Sequence, residues 1–345
     1  MSFVDLFGVE MKSLNMNRKL ERMKNLAWKI AKERKEEKDV IAILLFGSVA
    51  KGSIHSKSDI DLVLIKDSRK NFIKRNQFVE EKVKIDLWEH SCSFYEQLFA
   101  RNWSPEQMFL YSLFLNILQE CGILYDRESK FNRYKKNALK WKWPTNCKEF
   151  IRNKIEKAIN NYKRGDYDKF EKLVYMRKLF LLHTCKRLLD RGKPVSIRNK
   201  DYYLKCKEYF SAQEFETVFG KIPDRKKISS LIKRTIQIFH GEVKDREPWT
   251  ELKDAKNHFS NKEDFIAAIS LQNGAYYLGR VGLLNRGVKM KNKGFLYPES
   301  EMELIRKANN HWKEFYDLYQ QIHNVKAWDD KEIDYTFNYF LRLKE

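Results

Sequence analysis

The sequence predicts an α+β protein, in which a small mixed β-sheet with flanking helices precedes an all-α helical bundle. Val40–Phe46 is a continuous apolar run rich in branched side chains, and Ile60–Ile65 is a run of the same kind apart from Asp61, a pattern typical of buried strands. Lys82–Trp88 alternates apolar and polar residues, which predicts a third strand with two distinct faces. From Ser104 onward the apolar residues recur at helical spacing, and we expect no further strand there.

Helices are predicted wherever apolar side chains recur every three or four residues. The first, over residues 17–37, is amphipathic and is expected to cover one face of the sheet. Residues 68–80 are interpreted as a short polar helix, and the helix that starts at Ser104 is expected to end at a Gly122 cap. Later helices are predicted at 148–164, 168–190, 225–241, 263–284 and 299–323.

At 345 residues the chain is long enough for two domains, because single cores usually stop growing near about 250 to 300 residues. The change from strand patterns to helical patterns places the sheet domain at residues 1–130. A linker is expected at 131–146, and one or more helical domains at 147–345.

The chain is strongly basic, since 68 Lys and Arg residues against 47 Asp and Glu residues give a net charge of +21. Such a balance attracts a polyanion such as RNA, DNA or an acidic membrane surface. A general lysine-rich composition gives the same balance without such a partner. Charge alone therefore does not decide between the two.

Other bulk features exclude several classes of protein. No apolar run approaches the roughly 20 residues that span a bilayer, so we expect no membrane-spanning helix. The start of the sequence lacks a secretory signal pattern, which predicts a cytoplasmic protein. The five cysteines are widely spaced and form no C-x-x-C pair, so we expect reduced, mostly buried thiols rather than disulfides or a zinc site.

Aspartates stand at the start of the second apolar run and on the third predicted strand. Asp59 and Asp61 are two positions apart, so on a strand they point to one face while Ile60 and Leu62 point into the core. We expect the side chain of Asp86 on the same face. Carboxylate oxygens are the ligands that Mg²⁺ prefers. Asp59, Asp61 and Asp86 are therefore candidate catalytic residues and ligands of two Mg²⁺ or Mn²⁺ ions.

The first strand is followed at once by residues that suit a phosphate-binding turn. Gly47 and Gly52 free the backbone to approach phosphates closely, and Ser48 offers a hydroxyl and a backbone N–H. Together with the carboxylates, this turn predicts in-line displacement on a triphosphate, with one ion activating the attacking hydroxyl and another neutralising the pyrophosphate. Asp86 would act on the nucleophile side, as general base or as metal ligand.

This combination resembles the DNA polymerase beta-like nucleotidyltransferase superfamily. The matching signature residues are Gly47, Ser48, Asp59, Asp61 and Asp86. Val49–Gly52 and Ser58–Leu62 are most similar to its small bacterial and archaeal branch, which includes the minimal and the aminoglycoside nucleotidyltransferases. Gly122–Asp126 resembles the segment that closes the catalytic domain in that branch. The resemblance covers about residues 18–130.

The resemblance implies transfer of a nucleoside monophosphate from an NTP, ATP by default, to an acceptor hydroxyl with release of pyrophosphate. It also implies that residues 1–130 are the catalytic nucleotidyltransferase domain and that residues 147–345 bind the acceptor. Lys51 stands where related enzymes often carry arginine. The residues that it assigns to the NTP are Gly47, Ser48, Lys51, Gly52 and Ser58.

A HEPN-like helical bundle, or the substrate domain of kanamycin-type enzymes, often follows in that branch. The ribonuclease form of HEPN uses an arginine and a histidine four to six residues apart, and Arg177 and His183 satisfy this spacing. Six positions along a helix place two side chains roughly 120° apart. We therefore expect a packed His183 and a surface Arg177 rather than a nuclease pair.

Two basic stretches, the first interleaved with aromatic residues, are candidates for contact with single-stranded RNA. A linker with docked tryptophans and a solvated loop are the alternative interpretations. The residues concerned are Arg133, Lys135, Lys136, Trp141, Lys142 and Trp143, then Arg286, Lys289, Lys291 and Lys293.

The acceptor stays open, because an RNA or tRNA end, a protein side chain and a small alcohol such as an aminoglycoside all suit the same carboxylates. The basic helical part favours RNA, since aminoglycosides are themselves cations. A hypothesis of another class is an antitoxin-like or RNA-binding module that keeps the nucleotidyltransferase fold. The three intact aspartates argue against that hypothesis.

Overall fold

The computed structural model describes residues 3–54, 58–195, 218, 221–244, 248–290 and 298–342. The chain divides into two compact units, residues 1–143 with 192–195 and residues 144–191 with 196–345. The first contains a mixed sheet with flanking helices, and the described part of the second is built from helices. The predicted α+β fold class is confirmed.

The sheet of the first unit has five strands in the order β3-β4-β2-β1-β5. Only β2 and β4 run parallel to each other, and every other neighbouring pair is antiparallel. The strands are β1 (Val40–Phe46), β2 (Ile60–Lys66), β3 (Ile73–Glu80), β4 (Val83–Ser91) and β5 (Gly122–Asp126).

Five α-helices accompany this sheet in the described part of the first unit. They are α1 (Phe3–Arg34), α2 (Gly47–Lys51), α3 (Cys92–Ala100), α4 (Met108–Glu120) and α5 (Lys130–Leu139). The predicted helix at 17–37 corresponds to α1, which begins earlier and ends at Arg34. The helix predicted from Ser104 corresponds to α4, preceded by a 3₁₀ turn at Pro105–Gln107.

One face of the sheet packs against α1, as the amphipathic pattern predicts. Alternate residues of β2 and β4 supply that face, so their neighbours along each strand point away from α1. The buried cluster contains Met23, Leu26, Ala27, Ile30 and Ala31 of α1 with Ile43, Leu45, Ile60, Leu62, Leu64, Ile85 and Leu87 of the sheet.

The opposite face is covered by aromatic side chains at the end of β4. The buried His90 ring lies 3.0 Å from the hydroxyl of Tyr95, measured from Nδ1, and 5.4 Å from the ring of Phe114 between centroids. Burial lowers the pKa of His90 to about 3, so the ring is a neutral part of the core. Asp86 lies on the same face, four residues before His90 on β4. This is roughly 13 Å along the strand, so Asp86 stands outside the aromatic cluster.

The predicted polar helix at 68–80 is wrong, because Ile73–Glu80 forms the edge strand β3. All eight of its side chains are at least partly exposed, so it lacks the apolar run that marks a buried strand. The turn to β4 consists of Glu81 and Lys82 with φ of 48° and 65°. Two-residue turns with this backbone usually contain asparagine or glycine, and their absence removed the usual hairpin signal.

The expectation of no strand after Ser104 is also wrong. Gly122–Asp126 forms β5, which pairs with β1, and α4 ends at a Cys121 cap rather than at Gly122. This strand has only five residues, each partly buried, so its pattern is short and weak. The helices α3 and α5 were not predicted either.

The second unit begins with α6 (Thr145–Arg164) and α7 (Lys169–Asp190). Its further described helices are Arg225–Phe239, Trp249–Ser260, Asp264–Asn285, Pro298–His311, Lys313–Ile322 and Asp330–Arg342. The single helix predicted at 299–323 is divided at Trp312, whose φ of −154° and ψ of 72° leave the helical region. The helices at 249–260 and 330–342 were not predicted.

Two bulk expectations can be compared with the structure. Within the described residues, no helix combines the length and the apolar character needed to cross a membrane. Cys92, Cys121, Cys147 and Cys185 are free and buried, as predicted. The fifth cysteine, Cys206, lies outside the described residues.

We predict that Leu64→Ala lowers the free energy of unfolding by about 3 kcal/mol, because it leaves a cavity in the core between α1 and the sheet. Leu64 is fully buried in β2. Urea unfolding followed by circular dichroism measures the change. Val79→Ala on β3, where the side chain is 69% exposed, is the matched control and should cost less than about 1 kcal/mol. Equal losses in the two variants would contradict this core.

Candidate active site

The three predicted carboxylates meet on the sheet face that points away from α1. Asp61 of β2 stands opposite Asp86 of the parallel strand β4, and Asp59 directly precedes β2. One ligand oxygen from each residue lies within 4.8 Å of those from the other two. The pleat explains this arrangement, since Ile60 and Leu62 are held in the α1 core and leave Asp61 on the other side.

The residues present fit a divalent metal ion. Three carboxylates this close repel one another unless cations lie among them. Their oxygens are hard donors of the kind that Mg²⁺ and Mn²⁺ prefer, and the spacing allows one ion to touch more than one carboxylate. Asp59, Asp61 and Asp86 are the residues that would hold it.

Gly47 brings the backbone after β1 against the side chain of Asp61. It has a φ of 71°, which L-residues with a side chain rarely adopt, and a Cβ built on it would collide with the Asp61 carboxylate. Phe46, the last residue of β1, pairs with Asp61 across the strands. The glycine therefore leaves the space that the Asp61 carboxylate occupies.

Arg75 is a residue of this site that the sequence interpretation missed, because it lies on β3, the strand predicted as a helix. Its guanidinium donates two hydrogen bonds to Asp86, from Nε to Oδ1 at 2.8 Å and from Nη2 to Oδ2 at 2.6 Å. Burial acts to raise the pKa of Asp86, but the hydrogen bonds and charge of Arg75 outweigh it and lower the pKa. Asp86 is therefore held as a carboxylate although it is only 4% exposed.

Lys84 supplies a second cation on the same face. It belongs to β4, two positions before Asp86, and its Nζ donates to Oδ2 of Asp59 at 3.2 Å. The two side chains are similarly exposed, at 45% for Lys84 and 39% for Arg75, but Lys84 makes one hydrogen bond to Asp59 whereas Arg75 makes two to Asp86, so the Lys84 contact is the weaker one. The two cations partly neutralise three carboxylates.

The residues predicted to hold phosphates lie in and around α2. Ser48 belongs to this five-residue helix, and the backbone N–H of Gly52, also with a φ of 71°, closes it by donating to the carbonyl of Val49. Lys51 forms an ion pair with Glu120 at 2.8 Å. Ser58 is buried just before the carboxylates. Their contact with an NTP stays a prediction.

The two tryptophans of the first basic and aromatic stretch belong to the first unit's core. Trp141 and Trp143 are 7% and 4% exposed, and the indole N–H of Trp143 donates to the carbonyl of Lys193 at 2.8 Å. Lys135 is also engaged, because its ammonium donates to the carbonyl of Cys121. The rings are therefore not available for stacking with bases in this structure. The exposed cations of the stretch are Arg133, Lys136, Lys140 and Lys142.

The second basic stretch is described only in part. Arg286 forms an ion pair with Glu242 at 2.8 Å and lies over the ring of Trp312, 4.1 Å from its centroid. Lys289 is exposed. Lys291 and Lys293 lie outside the described residues.

The expectation of a surface Arg177 is wrong, because Arg177 is only 3% exposed. Its Nη1 donates to Nδ1 of His323 at 3.0 Å, and its guanidinium lies 5.7 Å from the ring centroid of Trp328. His183 is buried as expected, and burial together with nearby cations lowers its pKa to about 4. The helix pattern alone does not reveal such a partner, since His323 is 146 positions away in the sequence.

One comparison with known proteins covers the segment that contains the three aspartates. Residues 28–101 match the family model described as "Polymerase beta, Nucleotidyltransferase". No curated protein matches the chain. Among solved structures, a nucleotidyltransferase-like protein from Exiguobacterium sibiricum 255-15 is similar at 10% identity, over 93% of this chain and 75% of that chain. The TM-score of 0.27 is too low for that structure to inform the function of this one. The segment that carries the three aspartates is a nucleotidyltransferase domain of the polymerase beta superfamily.

Proposed function

We propose that the protein transfers a nucleoside monophosphate from an NTP to an acceptor hydroxyl and releases pyrophosphate. The observation that carries this proposal is the meeting of Asp59, Asp61 and Asp86 within 4.8 Å, inside the segment that matches the nucleotidyltransferase family. A cytoplasmic location and ATP as the default donor belong to the same proposal.

The chain's residues divide the work by position. Asp59 and Asp61 would hold the metal ions, and Gly47 leaves the space that the Asp61 carboxylate occupies. Ions of the Mg²⁺ or Mn²⁺ type supply, when bound, a lower pKa for the acceptor hydroxyl and charge neutralisation for the triphosphate. Ser48 and the backbone near Gly52 orient the phosphates.

Of the two roles predicted for Asp86, the role of metal ligand is favoured. Asp86 stands opposite Asp61 in the strand register, and its carboxylate lies within 4.8 Å of those of Asp59 and Asp61, as a shared metal site requires. The contacts from Arg75 keep both oxygens charged and fixed in orientation. Asp86 therefore suits charge stabilisation better than proton abstraction.

RNA is the proposed acceptor, on the grounds of charge. The net charge of +21 attracts a polyanion, and Arg133, Lys136 and Lys142 are exposed on the first unit. A protein side chain and a small alcohol are the other acceptors that the same carboxylates could serve. In the alternative proposal of a binding module, the same residues would bind RNA without turnover.

We predict that the wild-type protein moves α-labelled NTP into the RNA fraction of a cell extract in Mg²⁺ or Mn²⁺, and that Asp59→Ala with Asp61→Ala abolishes the transfer. Protein and small-molecule fractions are assayed in parallel. Asp67→Ala is the matched control, because Asp67 follows the opposite end of β2, and it should keep activity within about twofold.

Each outcome of that assay has a clear meaning. Label in the protein or small-molecule fraction would keep the reaction and replace the acceptor. Tight RNA binding without label in any fraction would support the binding module instead. Transfer that survives the double substitution would contradict the assigned carboxylates.

A second prediction concerns the glycine that lies against Asp61. Gly47→Ala should weaken Mn²⁺ binding at least about tenfold, because the new methyl group displaces the Asp61 carboxylate. Gly52→Ala is matched in backbone, since both glycines have a φ of 71°, but its Cβ would meet only Leu20 Cδ2 at 3.8 Å. Electron paramagnetic resonance of free Mn²⁺ measures the affinity. If Mn²⁺ affinity fell equally in the two variants, backbone strain rather than displacement of the Asp61 carboxylate would explain the loss of affinity.

A further inference from the structure

Arg75 occupies both carboxylate oxygens of Asp86, the atoms that a metal ion on Asp86 would need. Both carboxylate oxygens of Asp86 already accept hydrogen bonds from its guanidinium, at 2.8 and 2.6 Å. Asp86 is only 4% exposed, so little of it remains open to a second cation. A divalent ion on Asp86 would also lie a few ångströms from the positive charge of Arg75.

Arg75 makes a second contact, with the ring of Trp88. Its guanidinium lies over the ring of Trp88, 4.8 Å from the centroid, and its side chain is 39% exposed at the edge strand β3. Arg75 stands opposite Trp88 in the register of β3 and β4. It can therefore leave Asp86 without losing its cation–π contact or entering an apolar region.

We propose that Arg75 is an internal counter-cation that holds Asp86 in the absence of metal and must be displaced when a divalent ion binds all three carboxylates. This inference rests on the proposed function, because it assumes that Asp59, Asp61 and Asp86 are the metal ligands. Arg75 is a positioning residue, acting through Asp86. It orients the third carboxylate in the free protein and weakens the binding of the ion that engages it.

Electrostatics sets the size of the effect. The single charge of Arg75 and the double charge of a divalent ion repel each other. At roughly 5 Å, this repulsion weakens binding of the ion by about tenfold or more, even at the dielectric constant of water. Lys84 exerts a smaller effect on Asp86, since its one hydrogen bond goes to Asp59, whereas both hydrogen bonds of Arg75 go to Asp86. Arg75 rather than Lys84 therefore controls access to the third carboxylate.

The test is a titration with Mn²⁺, followed by electron paramagnetic resonance of the free ion, on the full-length protein. Arg75→Met should bind Mn²⁺ at least about tenfold more tightly than the wild type, because the competing charge is gone. Arg75→Lys keeps a charge but loses the two-bond contact, and its affinity should lie between those of Arg75→Met and the wild type. This variant also covers the case in which Arg75→Met fails to fold, as checked by circular dichroism.

Arg34→Met is the matched control. It removes one charge from an arginine–carboxylate pair with Glu37, which lies three residues before β1. Val40, the first residue of β1, pairs with Lys66, which is the last residue of β2, whereas Asp61 lies near the first residue of β2. The Arg34–Glu37 pair is therefore near the other end of the strands from the carboxylates. The Mn²⁺ affinity of Arg34→Met should equal that of the wild type.

The outcomes separate this inference from the proposed function. Mn²⁺ binding by the wild type with no gain in either Arg75 variant would overturn the inference and leave the metal site intact. A gain in Arg34→Met as large as in Arg75→Met would also overturn it, because the effect would then be one of net charge. Absence of Mn²⁺ binding in the wild type and in both Arg75 variants would overturn the metal site and the inference together.

Discussion

The pairing of β2 with β4 in parallel is the constraint on which the site depends. It sets Asp61 opposite Asp86, so two carboxylates are placed side by side by backbone hydrogen bonds rather than by their own attraction. Carboxylates at this distance repel, and a nearly buried one loses hydration as well. The repulsion is offset within the chain by Arg75 and Lys84, each of which donates to one of the acids. The strand pairing thus holds the carboxylates close together, and this closeness favours the binding of cations.

The rest of the first unit keeps this arrangement in register. Ile60, Leu62 and Leu64 are buried against α1, and a slip of one residue in β2 would place aspartate in that apolar layer. On the other face, His90, Tyr95 and Phe114 cover the end of β4 beyond Asp86. Hydrophobic packing therefore fixes both the side and the end of the sheet on which the acids stand.

Sequence patterns were sufficient where one physical signal dominated. The apolar runs predicted β1 and β2, the alternation predicted β4, and the pleat placed Asp59, Asp61 and Asp86 on one face. They failed at β3 and β5, because an exposed edge strand and a five-residue strand leave little apolar periodicity. Arg75 was missed together with β3.

Other errors came from contacts between residues distant in sequence. The sequence pattern predicts a surface Arg177, because six positions on a helix place it roughly 120° from a packed His183. In the folded chain it is buried beside His323, a partner that no local pattern indicates. Trp141 and Trp143 were considered for base stacking, yet both are packed in the first unit. Composition identifies such residues, but only tertiary structure decides whether they are exposed.

The contact between Arg75 and Asp86 connects the two proposals about the site. A guanidinium that lowers the pKa of a carboxylate makes it a poorer base and a more persistent anion. A persistent anion is what a divalent cation requires, but the same guanidinium must then give way to that cation. The contact with Arg75 therefore keeps Asp86 ionised as a metal ligand and also competes with the metal ion for it. The affinity for a divalent ion measures the net result of these two effects.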